Sequence, residues 1–135
     1  MTRARALTAI LAASVALSAA ACAATQSEED KAKTAVESYL NAVTNGQGEQ
    51  ACGKVTEATK KNIERGGRSC ADTISSLSSG PAKAVLQAFK NADVNNVKLS
   101  GDRGTADIKV TGMTRQTNLR KEDGEWKLDS TAVAG

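Results

Sequence analysis

No histidine occurs anywhere in the 135 residues. Histidine is the side chain whose ordinary pKa lies nearest neutrality, and it is the commonest ligand of transition metals. Its absence removes the usual general base and makes a Ser-His-Asp triad impossible. Aromatic residues are nearly as scarce, with Tyr39, Phe89 and Trp126 the whole set. A core with so few large side chains gains from a covalent staple. Charge of one sign is also lacking. The chain carries 18 basic and 15 acidic residues, and Arg3 and Arg5 stand at the extreme N-terminus. Without those two the remainder is close to neutral, which argues against the basic stripe of a nucleic-acid binder.

What is present begins with an export signal. Met1-Thr2-Arg3-Ala4-Arg5 is a short basic start, and Ala6 to Leu17 is an apolar run without charge. Ser18-Ala19-Ala20-Ala21 supplies small residues before Cys22. Basic start, apolar centre and small-residue exit are the parts of a secretory signal peptide. The apolar run is shorter than the roughly 20 residues a spanning helix needs, which counts against an uncleaved anchor. Leu17-Ser18-Ala19-Ala20-Ala21-Cys22 resembles a lipobox, the processing signal of bacterial lipoproteins, although Ala19 stands where leucine is usual. The resemblance implies cleavage after Ala21 and a diacylglyceryl group, with palmitate-type acyl chains, on Cys22. Two or three acyl chains on one residue anchor stably. The rival is ordinary secretion, because Ala19-Ala20-Ala21 is also an acceptable exit.

Three cysteines make an odd number, and in an exported protein the odd one needs an account. Lipidation of Cys22 leaves Cys52 and Cys70 as one possible pair in an oxidising compartment. A disulfide closing a loop of that size contributes about 3 kcal/mol in the chain-entropy model. Two separately buried thiols are the alternative. The expected organisation is a signal peptide over 1–21, a tether over 22–26 and one domain over 27–135.

Within that domain the hydrophobic period changes once. Ser27 followed by Glu28-Glu29-Asp30 reads as a capped helix start, with acidic residues on the positive end of the helix dipole. Ala32, Ala35, Val36, Tyr39, Leu40 and Val43 recur at helical spacing, and Asn45-Gly46 ends the run at about Thr44. Gly48 to Val55 predicts one or two helical turns, and Thr56 caps a further short helix that Gly66-Gly67 stops. Ser69 to Leu77 predicts another helix, Ser78-Ser79-Gly80 a loop, and Pro81 to Asn91 a last helix with proline in its first turn. From Val94 the pattern alternates. Val97 and Leu99, then Ala106, Ile108 and Val110, mark half-buried strands separated by a turn at Ser100 to Gly104. A break at Thr111-Gly112 precedes a polar strand over Thr114 to Lys121, expected near a sheet edge. Asp123-Gly124 is a hairpin turn leading to Trp126 and Leu128. Helices first and strands afterwards imply an α+β fold with an antiparallel meander of about four strands.

The leading helix with Tyr39-Leu40-Asn41-Ala42, the run Gly48 to Cys52, the second cysteine at Cys70, and the closing Glu122-Asp123-Gly124-Glu125-Trp126-Lys127-Leu128 together resemble small actinobacterial lipoproteins with an NTF2-like (cystatin-like superfamily) domain. The resemblance spans nearly the whole mature chain. It implies helices packed in the concave face of a curled antiparallel sheet, and Cys52 paired with Cys70 near the helical end. Such domains include isomerases and dehydratases, but also many non-catalytic binding or assembly modules, so fold alone does not choose among them.

A search for chemistry returns little. Asp107 and Tyr39 are the one candidate acid–base pair, but Asp107 lies on the polar side of its strand and Tyr39 on the core stripe of its helix, so no catalytic residue is assigned. Ser75, Ser76, Ser78 and Ser79 lack a nucleophile-elbow setting. Gly101-Asp102-Arg103-Gly104 lacks the strand-to-helix setting of a phosphate loop. Neither cofactor nor metal is expected, because Cys52 and Cys70 are far from any CxxC spacing. Lys54, Lys60, Lys61, Arg65 and Arg68 give the helical middle a basic tint suited to anionic headgroups or an acidic partner, unless they form only a solvated face. The expectation is therefore a non-enzymatic binding or interaction module, lipid-anchored on the extracytoplasmic face of the cell membrane. It would receive an envelope protein, a peptide or an apolar small molecule and no nucleic acid. The alternatives are an isomerase- or dehydratase-type enzyme with a pocket inside the cone, and a purely structural envelope protein.

Overall fold

The structure is a computed structural model, and it describes residues 25–130. The expected signal peptide and Cys22 lie outside the described residues, as do positions 131–135. Among the described residues five helices come first: α1 (Glu28–Thr44), α2 (Gly48–Gly53), α3 (Glu57–Glu64), α4 (Cys70–Ser79) and α5 (Lys83–Phe89). Four strands follow: β1 (Asp93–Ser100), β2 (Arg103–Val110), β3 (Met113–Glu122) and β4 (Glu125–Leu128). They form one antiparallel sheet in the order β1-β2-β3-β4, so the fold is α+β with an antiparallel meander of four strands, as expected.

Local signals explain most boundaries. The Ser27 hydroxyl accepts from the Asp30 N–H at 3.1 Å and opens α1. Thr56 and Ser69 open α3 and α4 in the same way. Two hairpin turns, Thr111-Gly112 and Asp123-Gly124, have positive φ at both residues. That is the conformation a right-twisted two-residue hairpin requires. The expected loop at Ser78-Ser79-Gly80 is instead the end of α4. Ser76, Ser78 and Ser79 each donate back to the carbonyl three residues earlier, so the hydroxyls are satisfied inside the helix, which stops at Gly80. The last helix is shorter than expected, and Pro81 and Ala82 belong to the turn before it.

The strand register sorts the sheet into two faces. Val94 opposite Ile108, Ala106 opposite Thr117, Leu119 opposite Leu128, and Lys121 opposite Trp126 share the side that carries the helices. Val94, Ala106, Ile108, Leu119, Trp126 and Leu128 are buried there against Val36, Tyr39, Leu40 and Val43 of α1. The outer face is polar throughout, with rows such as Asn95–Asp107–Gln116 and Arg103–Arg120–Lys127. β3 stands next to last in the strand order, near the sheet edge as its polarity led us to expect. It pairs with β2 along most of its length and with β4 from Leu119 to Glu122. Its polarity reflects a solvated outer face and a short neighbour. The far side of β4 is covered by the chain between α2 and α3. Leu128 donates to Lys54 O and accepts from Thr56 N, both at 2.9 Å, as a parallel bridge. At the other end of the sheet, β1 is interrupted between Asn95 and Lys98 by a register shift, with Asn96 at φ 48°.

Gly48 packs α2 onto α4 with no room to spare. A Cβ at this position would lie 2.1 Å from the Ala71 carbonyl oxygen and 2.5 Å from Ser75 Oγ. Gly48→Ala is therefore expected to destabilise by about 1–3 kcal/mol, the usual range for overpacking. Urea unfolding of the two chains measures it, and an unchanged midpoint would contradict the close crossing.

Candidate functional site

One charged cluster joins the start of α1 to the end of the sheet. Glu28 Oε2 accepts from Lys121 Nζ at 2.7 Å and from Trp126 Nε1 at 2.9 Å, while Oε1 pairs with Lys31 at 2.8 Å. The ammonium of Lys121 also lies 5.8 Å from the centre of the Trp126 ring, within cation–π reach. These donors, Lys121 first, then Lys31 and Trp126, lower the Glu28 pKa from 4.5 to about 2. A carboxylate whose folded pKa is depressed stabilises the fold fully above its unfolded pKa. Its contribution is lost as the pH falls from about 4.5 towards 2. Glu28→Gln is accordingly expected to flatten the acid limb of stability in that window. Urea midpoints at pH 7 and pH 3 for both chains decide this, and parallel losses on acidification would contradict it.

The helical end is held by the Cys52–Cys70 disulfide, with Cα atoms 6.1 Å apart. It links α2 to the first residue of α4. Beside it a crevice of about 500 Å³ is lined by Glu49, Glu57, Lys60, Glu64 and Lys127 among others. Glu64 turns inward, where Oε1 accepts the Cys70 N–H at 3.2 Å. Thr56 fastens α3 to the sheet, its hydroxyl donating to Asp129 Oδ1 at 3.0 Å. Among the described residues no group of three or more His, Cys, Asp or Glu side chains could hold a metal ion.

The candidate pair Tyr39 and Asp107 is not brought together. Tyr39 is buried on the helix side of the sheet, where desolvation raises its pKa to about 12. Asp107 lies on the outer face and accepts from Asn96 Nδ2 at 3.0 Å. Ser75 donates to Gly46 O at 3.2 Å, and the other three serines of the cluster cap carbonyls of their own helix. Gly101 and Asp102 form the turn between β1 and β2. A second crevice, of about 430 Å³, opens between the C-terminal half of α1 and the α5–β1 junction. Leu40, Phe89 and Ala92 give it an apolar floor, and Glu37, Asn41, Asn45 and Lys90 a polar rim. Ala106, Ile108, Leu119 and Leu128, at the centre of the helix-covered face, line neither crevice.

No family model matches the chain, and no curated protein matches it. Among solved structures, the crystal structure of a de novo designed protein with curved beta-sheet is similar at TM-score 0.39 and 13% identity. The match covers 78% of this chain and 88% of that one.

Proposed function

We propose that the chain is an exported lipoprotein, anchored through Cys22 on the extracytoplasmic face of the cell membrane, whose NTF2-like domain acts as a non-enzymatic interaction module. The observation that carries this reading is the filled interior. The helix-side positions Val94, Ala106, Ile108, Leu119 and Leu128 are buried in one core with residues of α1. A domain whose sheet is occupied by its own helix recognises partners with its surface. The arithmetic of the cysteines supports the anchor, because Cys52 and Cys70 pair with each other and leave Cys22 as the odd one. The crevice over Leu40 and Phe89 favours a second reading, in which an apolar small molecule or side chain is held there. Its volume of about 430 Å³ lies within the range of ligand sites.

Intact mass of the protein from the membrane fraction tests the anchor. The expected result is loss of residues 1–21, an acyl mass on Cys22, and two cysteines unreactive towards alkylation. A soluble product with a free thiol at Cys22 would refute it.

A further inference from the structure

We infer that α3 and the turn after it, through Lys60, Lys61, Arg65 and Arg68, form a docking surface for the anionic phospholipid headgroups of the membrane that holds the tether. The inference rests on the lipid-anchor reading above. Ion pairs among the described residues use Lys31, Lys33, Arg120, Lys121 and Lys127, and none involves these four cations. Glu57 and Glu64 on the same helix offset part of this charge, and Glu64 also accepts the Cys70 N–H with Oε1. Lys61, Arg65 and Arg68 are exposed. Between the two arginines, Gly66 and Gly67 project into open space, for a Cβ on either would meet nothing within 4 Å. A protruding, glycine-tipped turn flanked by guanidinium groups presents forked donors to phosphate without a steric obstacle.

The surface is also held rigidly and close to the tether. The disulfide brackets it, since Cys52 precedes α3 and Cys70 follows the turn. Thr56 bonds Asp129, and the Glu57 N–H donates to Glu122 Oε2 at 3.3 Å, so the start of α3 is fixed to the sheet. Lys54, just ahead of α3, lines the same crevice as Gln26, where the tether meets the domain. Fully extended, the tether from Cys22 to Gln26 spans at most about 17 Å. An eight-residue helix such as α3 is about 12 Å long. The start of α3 therefore lies close to the point where the tether leaves the domain. The field of an anionic leaflet acts over about 8–10 Å, so only a short approach is needed. An acidic protein would meet the same charges, but the tether supplies the membrane continuously and at high local concentration.

The test uses the full chain, processed in its host and taken from the membrane fraction, with its mass read first. It is placed in phosphatidylcholine vesicles with or without added phosphatidylglycerol, and lysine acylation by an amine-reactive reagent is followed by peptide mass. Phosphatidylglycerol is expected to slow modification of Lys61 about fivefold, the factor for roughly one charge at such a surface. Lys83 should be unaffected, and high salt should abolish the difference. Equal rates in both vesicles, equal slowing at Lys83, or protection seen only in native membranes would overturn the proposal, the last in favour of an acidic protein. A mass without acyl chains defeats the anchor alone. The unacylated chain is then pelleted with the same vesicles. About thirtyfold more binding with phosphatidylglycerol, lost in K60Q/K61Q/R65Q/R68Q, upholds the surface, on the order of four cations offset by Glu57 and Glu64. Equal pelleting in both vesicles overturns it.

Discussion

Trp126→Ala is expected to lower the unfolding free energy by about 3–5 kcal/mol, at the upper end for a single substitution in this fold. Trp126 is 5% exposed, stands opposite Lys121 in the β3–β4 pair, and is one of three aromatic side chains in the chain. Truncation empties part of the helix–sheet boundary. It also removes the Nε1 donor from Glu28 Oε2 and the ring beneath Lys121. Trp126→Phe separates the two contributions. It keeps most of the packing and loses the hydrogen bond to the solvent-screened carboxylate, so a loss clearly smaller than that of the alanine variant is expected. Urea unfolding at pH 7 measures both. A loss below about 1 kcal/mol for the alanine variant would show that the ring is not a filled part of the core.

Removal of the disulfide is the second large effect. The Cys52→Ala/Cys70→Ala chain is expected to lose about 3 kcal/mol, with a fall in Tm on the order of 15 °C. The bond closes a loop with a sequence separation of 18 that contains all of α3. Much of the loss arises in the unfolded chain, which regains the freedom of that loop. Part arises in the native state, because α3 contributes little of its own to the core: Thr59 is its one buried residue. Thermal unfolding with and without reductant reads the total. Hydrogen exchange divides it, with core amides of α1 and the sheet expected to lose protection by the fall in global stability, and α3 expected to lose more. A uniform loss across the whole domain would count against this division.

These effects separate what local patterns encode from what they do not. The leading helix was readable because cap, acidic first turn and apolar stripe all point the same way, and Ala32, Ala35, Val36, Tyr39, Leu40 and Val43 are all buried. The turns at Thr111-Gly112 and Asp123-Gly124 were readable because few residues tolerate positive φ. The separation of Tyr39 from Asp107 was likewise legible in their parity, one on a core stripe and the other on a polar alternation. The clamp was not. Glu28 reads as an ordinary dipole partner in the first turn, and its donors lie 93 and 98 positions away. The parallel bridge between Val55 and Leu128 carries no local signature either. The place of β3 near an edge was readable in its polarity, because β4 is four residues long and pairs with it only from Leu119 to Glu122.

The break in β1 has a consequence for how copies of the protein coexist. β1 ends the strand order, so its outer rim is where another extended chain could add itself to the sheet. A continuous rim would offer a regular ladder of donors and acceptors to such a newcomer. Asn96, at φ 48°, throws that ladder out of step midway, and Lys98 adds a charge at the same place. An irregular border of this kind disfavours edge-to-edge addition, so copies that meet at this rim find no regular ladder along which to grow into filaments.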